Sequence, residues 1–417
     1  MSNDFDILFL AGLFPREKED EIIRNSKGNI QNAANALQHG IASGLSANCP
    51  GQVRVLNSLY IGSFPKLYRK PFVKTYSFSH TEGANDVNVG YLNLVGAKRL
   101  SRYITLRPYI KKWIKERNDR KKVIIAYAAT ATFTRLLRYV KRLSNGVVTC
   151  LVVPDLPQFM NLAHRQSIIY KLLKGFEVRI IHTDTKYIDG FILLTEYMKD
   201  ALRLKVPYVV VEGIATDTFS DILNISENQG IKTILYSGTL SEKYGVIDLV
   251  NAFLKLSNKD YRLVICGAGE TDEYIIQKSK EDCRIIFKGL IKRDEVFKLQ
   301  KSATILVNPR PNNEEYTKYS FPSKILEYMS SGTPVLSFRL AGIPDEYNSY
   351  YYTLEGDDTE IAILNGLRNT LAISEVELAN YGKRAKEFVL REKSAIFQTR
   401  KIVDMINEEI IKMEGST

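Results

Sequence analysis

The residues best suited to chemistry lie in loops that each follow a short apolar run. In the stretch from Asn308 to Pro334, Pro322 suits a first helical turn, Gly332 suits the residue past a helix end, and Pro334 forbids continuation. This punctuation predicts a helix of about ten residues, with free N–H groups and a positive dipole end suited to a phosphate. Ser323 adds a hydroxyl there and Lys324 a cation. Glu327 stands four residues after Ser323, on the same helical face, while Ile325, Leu326 and Met329 point to a core. A carboxylate one turn below a phosphate repels a second phosphate but accepts two ribose hydroxyls, which fits a nucleotide laid along the helix. A capped surface helix with a solvated Glu accounts for the same residues equally well.

A second stretch runs from Tyr236 to Val246. Its Ser237, Gly238 and Thr239 let the backbone approach an anion, and Lys243 is a compact charge at the start of the next helix. An ordinary βα loop with a solvent Lys is the plainer reading. In a third, Gly267 and Gly269 are two glycines of a dinucleotide fingerprint, but Asp272 stands where the third belongs, which disfavours NAD. The only Asp-x-Asp, Asp4 with Asp6, precedes the first strand, and His39, His80, His164 and His182 lack ligand spacing, so no metal and no cofactor is expected.

Cations interleave with apolar residues between Lys98 and Arg142, a window holding fifteen Lys and Arg against Glu116 and Asp119. Within it Ile110, Trp113 and Ile114 with Arg107 and Lys111 fit an amphipathic helix. Such a face suits anionic lipid, with Lys111, Lys112, Trp113 and Lys115 at the membrane surface. A core-packed helix with a solvated basic side competes with that reading. Nucleic acid ranks third, because no recognised binding module accompanies the charge.

Alternating strands and helices must position these loops. Runs at Ile7–Ala11, Val123–Tyr127, Thr149–Val153, Phe191–Leu194 and Tyr208–Val211 are too short for helices and rich in Val, Ile and Leu. Thr233–Ser237, Arg262–Cys266, Ile285–Phe287, Ile305–Asn308 and Val335–Phe338 repeat the scheme. Helical patterns at Asn29–Ile41, Arg107–Glu116 and Val246–Leu256 lie between runs. The order predicts an α/β protein of two doubly wound Rossmann-like domains with parallel sheets facing across a cleft. The polar stretch 213–228 marks the junction. Domains are expected over 1–212 and 213–395, with a last helix at about 396–417 packing back onto the first.

Composition agrees: 417 residues at about 150 per domain give two to three domains, and 45% hydrophobic with 25% charged residues excludes disordered and disulfide-rich classes. Cys49, Cys150, Cys266 and Cys283 form no CxxC pair and read as free thiols of a reducing cytoplasm. The acidic start lacks a signal-peptide layout and no apolar stretch is long enough to span a bilayer, so any membrane contact is peripheral, at the inner face.

Taken together, the stretches at 236–245, 264–269, 287–290, 305–309 and 320–332 resemble the donor-binding domain of retaining glycosyltransferase family 4, the glycosyl transferases group 1, of the GT-B fold. The Phe-Pro-Ser-Lys-x-x-Glu-Tyr version is similar to the bacterial polysaccharide-assembly branch. The resemblance implies a nucleotide-sugar donor on the second domain and an acceptor on the first. It assigns Glu327 to the ribose, Lys243 to the pyrophosphate, Gly28 to a glycine loop near the phosphates, and Gly238, Gly267, Gly289 and Leu290 to the donor cradle. Three departures matter. Tyr319 replaces the first Glu of the family's Glu-x7-Glu, leaving Glu314, Glu315 or Tyr319 itself for the donor sugar. Thr239 replaces a phosphate-binding Arg, for which Arg310 or Lys324 compensates. Pro154 replaces a His, leaving Asp155 as the acidic candidate that orients or deprotonates the acceptor. The implied reaction is metal-independent, retaining transfer from a UDP-sugar to a hydroxyl of a lipid-linked glycan in capsule, exopolysaccharide or O-antigen assembly. A same-fold nucleotide-sugar epimerase and a non-catalytic nucleotide-sugar or lipid-binding adaptor remain open alternatives.

Overall fold

Uninterrupted Val, Ile, Leu and Phe runs need apolar cover on both faces, which only helices packed on either side of a parallel sheet provide. The computed structural model of the chain describes residues 5–28, 30–116, 119–156, 168–217, 230–312 and 315–411, with the backbone alone for 168–174. Asp4, Asn29, His164, Glu314 and residues 218–228, named above, lie outside these, as does Arg117 of the basic window. The chain divides into two units, Met1–Ile214 with Ala395–Thr417, and Ala215–Ser394.

In the first unit the strands are β1 (Phe5–Ala11), β2 (Val53–Asn57), β4 (Tyr76–Phe78), β5 (Asp86–Asn88), β7 (Lys121–Tyr127), β8 (Val148–Val153), β9 (Gly190–Leu193) and β10 (Tyr208–Val210). They form one sheet in the order β10-β9-β8-β7-β1-β2-β5-β4, parallel except for the β4–β5 pair. A ribbon of β3 (Phe72–Val73) and β6 (Tyr91–Leu92) stands apart. The returning helix Ala395–Asp404 and the turn Met405–Ile411 belong to this unit. Ile402, Val403, Met405, Ile406 and Ile410 enter the core that covers β1, β7 and β8. Gly44 lets this helix sit close, since a Cβ there would lie 2.2 Å from the Ala395 carbonyl oxygen.

In the second unit β11 (Lys232–Ser237), β12 (Tyr261–Cys266), β13 (Ile285–Gly289), β14 (Ile305–Asn308), β15 (Val335–Phe338) and β16 (Tyr352–Leu354) pair in parallel, in the order β13-β12-β11-β14-β15-β16. The order reverses at β11, between β12 and β14, and at such switch points the strand ends open a crevice for ligands.

Three expectations need correction. The helix expected over Arg107–Glu116 runs over Lys98–Lys115, straight through an exposed Pro108, whose ring removes one backbone donor without ending the helix. Its buried side includes Arg102, Leu106, Ile110 and Trp113. Trp113, expected at the membrane surface, is 5% exposed with the Lys122 ammonium 4.8 Å from its ring centroid; it is a core residue. The basic window is not one free face either. Arg99 pairs with Glu177, Lys122 with Asp6, Arg138 with Asp184 and Lys141 with Asp189, carboxylates from elsewhere in the chain. Lys111, Lys112 and Lys115 stay exposed near the helix's C-terminal end, where the dipole favours cations.

Candidate functional site

At the carboxyl ends of β11, β12 and β14 the backbone is drawn together so tightly that three positions admit only glycine. A Cβ on Gly267, whose φ is +140°, would lie 1.8 Å from the Gly238 carbonyl oxygen, and one on Gly269 2.0 Å from that of Leu240. Gly245, at φ +73°, meets the Pro309 carbonyl oxygen at 2.1 Å. Bonds from Gly238 N to Cys266 O (2.8 Å) and Leu240 N to Ala268 O (3.1 Å) join the first two loops. Gly267 and Gly269 therefore serve loop-on-loop packing, which explains glycines without a complete dinucleotide fingerprint. Glu270, unremarked in the sequence, ties the same loops by accepting from Ser241 Oγ at 2.6 Å and Glu242 N at 3.2 Å.

The helix Ser323–Ser331 starts beside them, with Pro322 at its N-cap supplying no side-chain cap and Gly332 closing it at φ +80°. Ser323 is exposed on the first turn. Glu327 faces the end of β11: its Oε1 accepts from Gln300 Nε2 at 2.7 Å, and the same nitrogen donates to Ser237 Oγ at 3.0 Å. Tyr328 completes the clamp, its hydroxyl accepting from Ser237 N at 3.0 Å and donating to Ser237 O at 3.1 Å. Gln300 is fully buried; its backbone carbonyl accepts from Thr333 Oγ1 at 2.7 Å, and its side chain is held through Nε2, shared between Ser237 Oγ and Glu327 Oε1. The sequence carried no signal for it beyond one polar residue on the helix Arg293–Ser302.

Three cations converge on these strand ends. Lys324 lies across Gly238: a Cβ there would meet its Cε at 2.5 Å. Burial pushes the Lys324 ammonium below its ordinary pKa, with the Glu327 charge opposing the shift. Arg310, just past β14, is 8% exposed, yet its Nε and Nη2 have no hydrogen-bond partner among the described residues. Its guanidinium stands 4.9 Å from the ring centroid of Tyr316 and 5.7 Å from that of Tyr244. The Lys243 ammonium, on the exposed turn Glu242–Tyr244, is 5.1 Å from the same Tyr244 ring, so one aromatic ring carries both cations. A buried guanidinium with idle donors costs several kcal/mol in the absence of an anion, and satisfies itself when one binds.

The other expected residues separate into groups. Thr239 is exposed, and its carbonyl holds the Tyr236 hydroxyl at 2.8 Å. Gly289 ends β13 at φ +62° and Leu290 is 84% exposed beside it, an apolar surface at a strand end. Glu315 and Tyr319 bound the turn Glu315–Tyr319; the Glu315 carboxylate faces solvent and pairs with Lys318 at 3.2 Å. In the first unit Gly28 sits in an exposed turn at φ +116° with no atom within 4 Å of a Cβ. Asp155 follows β8 with its side chain exposed to solvent, and partial desolvation by the protein around it pushes its carboxyl up to about 6. Among the described residues no three His, Cys, Asp or Glu side chains gather as metal ligands.

Residues 231–370 match the family of glycosyl transferases group 1. An uncharacterized glycosyltransferase of Methanocaldococcus jannaschii is 30% identical over 120 residues, covering 27% of this chain and 28% of that protein. N-acetyl-alpha-D-glucosaminyl L-malate synthase of Bacillus anthracis is 29% identical over 187 residues, 43% of this chain and 44% of that protein. The matches thus span less than half the length of these curated relatives. Sucrose-phosphate synthase of Thermosynechococcus elongatus superimposes with a TM-score of 0.63 at 14% identity, covering 99% of this chain and 100% of that one. The Anabaena protein HepE, solved with UDP, does so with a TM-score of 0.58 at 12% identity, covering 96% and 99%. The glycine-packed strand ends and the helix bearing Glu327 lie inside the matched segment; the chain has the GT-B fold, and residues 231–370 of its second unit match the glycosyl transferases group 1.

Proposed function

We propose that this protein is a retaining, metal-independent glycosyltransferase that moves a sugar from a UDP-sugar to a hydroxyl of a lipid-linked oligosaccharide during cell-surface polysaccharide assembly. The observation that carries the reading is Arg310: a buried guanidinium with two idle donors, sharing the Tyr244 ring with Lys243. Cleavage of the anomeric bond leaves negative charge on the nucleotide diphosphate. Arg310, Lys243, Lys324 and the start of the helix Ser323–Ser331 stabilise that charge as it develops. Glu327, held by Gln300, accepts the ribose hydroxyls, and exposed Leu290 offers the base an apolar contact. The HepE complex with UDP supports the choice of nucleotide.

In the first unit Asp155 orients or deprotonates the acceptor, and the helix Lys98–Lys115 meets the inner membrane surface. Its exposed Leu100 and Ile104 are apolar, and Lys111, Lys112 and Lys115 suit anionic headgroups. No described helix is long and apolar enough to cross a membrane. The test is calorimetric titration with UDP, GDP and ADP. UDP should bind to the wild type in the presence of EDTA, and Arg310→Met should weaken it by about a hundredfold, the loss of two charge-assisted hydrogen bonds. Binding of no nucleotide, or full affinity in Arg310→Met, refutes the donor site.

A further inference from the structure

The first unit gathers positive charge where nothing in the described structure balances it. Arg102, on the helix Lys98–Lys115, is 5% exposed, and its Nε and Nη2 donate only to neutral groups, Ser58 Oγ at 2.8 Å and Ser58 O at 2.7 Å. The guanidinium is ringed by Tyr60, Phe133 and Tyr91, with centroids 4.8, 5.2 and 5.6 Å from Cζ. Lys98, one turn earlier, donates to the Ile61 carbonyl and has no carboxylate partner either. Neighbouring Arg99 is paired, with Glu177.

The surroundings add to the imbalance. The helix Lys98–Lys115 has no acidic residue in its first turn, so two unpaired cations sit against its positive end. The first turn of the helix Ala131–Leu143 packs here too, through Phe133 and a 3.5 Å bond from Thr132 Oγ1 to Arg99 O. Desolvation, followed by the charges of Arg102 and Arg99, lowers the Lys98 ammonium to about 8.

The place is a strand end. Ser58 directly follows β2, and the Tyr60 hydroxyl donates to Tyr127 O at 3.0 Å and accepts from Ala128 N at 3.2 Å at the end of β7. Tyr60 and Lys98 are only partly covered, which leaves a way in from solvent. We propose that Lys98 and Arg102, with Tyr60 between them and the end of β7, form a binding site for the phosphate or diphosphate group of a phosphorylated ligand. One buried and one half-buried positive charge match one dianion, and neutral hydrogen-bond partners leave the charge uncompensated until it arrives. Assigning this ligand as the acceptor rests on the glycosyltransferase reading above; the anion site itself does not.

The experiment is calorimetric titration of the full chain with inorganic pyrophosphate, in the presence of saturating UDP so that any site at Arg310 is filled. Wild type, Lys98→Met, Arg102→Lys and Arg310→Met are compared, with melting curves to confirm folding. One pyrophosphate per chain is expected, unaffected by Arg310→Met and weakened about tenfold or more by Lys98→Met. No pyrophosphate binding, or equal binding by Lys98→Met, overturns the site. Loss of pyrophosphate binding in Arg310→Met also overturns it. Failure of UDP to bind refutes the donor reading and leaves the pyrophosphate arm intact. Competition by farnesyl diphosphate assigns a lipid-linked ligand, and competition by a hexose 6-phosphate a soluble one. Competition by neither overturns the acceptor role.

Discussion

Glu327 and Gln300 show how much a single hydrogen bond decides. The 2.7 Å bond from Gln300 fixes which way the Glu327 carboxylate faces, and Gln300→Leu removes it without touching the ligand. UDP affinity in Gln300→Leu should fall about tenfold and in Glu327→Ala about tenfold to a hundredfold, read by the same titration. Two titrating groups make opposite predictions for stability. Asp155 has its pKa raised from 3.8 to about 6, so the folded state binds its proton more tightly than the unfolded chain, and stability falls as pH rises between those values. Asp155→Asn should therefore melt higher than wild type above pH 6, with the gap closing toward pH 4. Lys98 has its pKa lowered from 10.5 to about 8; the folded state disfavours the proton, and the cost is full below about 8 and disappears as pH rises past 10.5. Lys98→Met should raise the melting temperature at neutral pH, the mark of a residue kept for binding at the expense of stability.

At the scale of elements, the loop after β12 is built for approach, and its glycines differ in kind from Gly28. Gly267→Ala puts a methyl into the Gly238 carbonyl oxygen at 1.8 Å on a backbone that L-residues rarely adopt, and neither atom can yield. It should destabilise the second unit by about 3 kcal/mol or more, whereas Gly28→Ala, with open space around it, should cost about 1–2 kcal/mol from backbone strain alone. Urea unfolding of the two variants separates these cases. Element boundaries were legible where type and punctuation agreed, as with Gly332 at the end of Ser323–Ser331. They were not legible at Val53–Asn57, where Arg54 interrupts the apolar run yet pairs outward with Glu116 at 2.9 Å. Nor were they at Lys98–Lys115, where Pro108 reads as a break but lies on the exposed side.

At the scale of the molecule, the second unit is continuous in sequence and the first is not. Residues from Ala395 onward complete the first core through Ile402, Val403, Met405, Ile406 and Ile410. Ending the chain at Ser394 should strip that cover and expose the sheet of the first unit. Limited proteolysis should then degrade residues 1–214 while a fragment near 215–394 survives; equal loss of both units would mean the helix is not needed for the first core.

The sequence by itself determined the α/β alternation, the two sheets' worth of buried strands and the residue types at the donor loops, because these are local: apolar runs, caps and turn glycines act within a few positions of themselves. What only the tertiary structure decided was which charges remain unpaired. The +13 between Lys98 and Arg142 looked like one basic face, yet much of it meets Asp6, Glu177, Asp184 and Asp189 brought from distant segments. Among the cations left over, Arg310, Lys98 and Arg102 cannot be distinguished from the rest by type or spacing. Whether a charge is compensated depends on the full set of neighbours within a few ångströms, and that set is assembled only when strands far apart in the chain lie side by side.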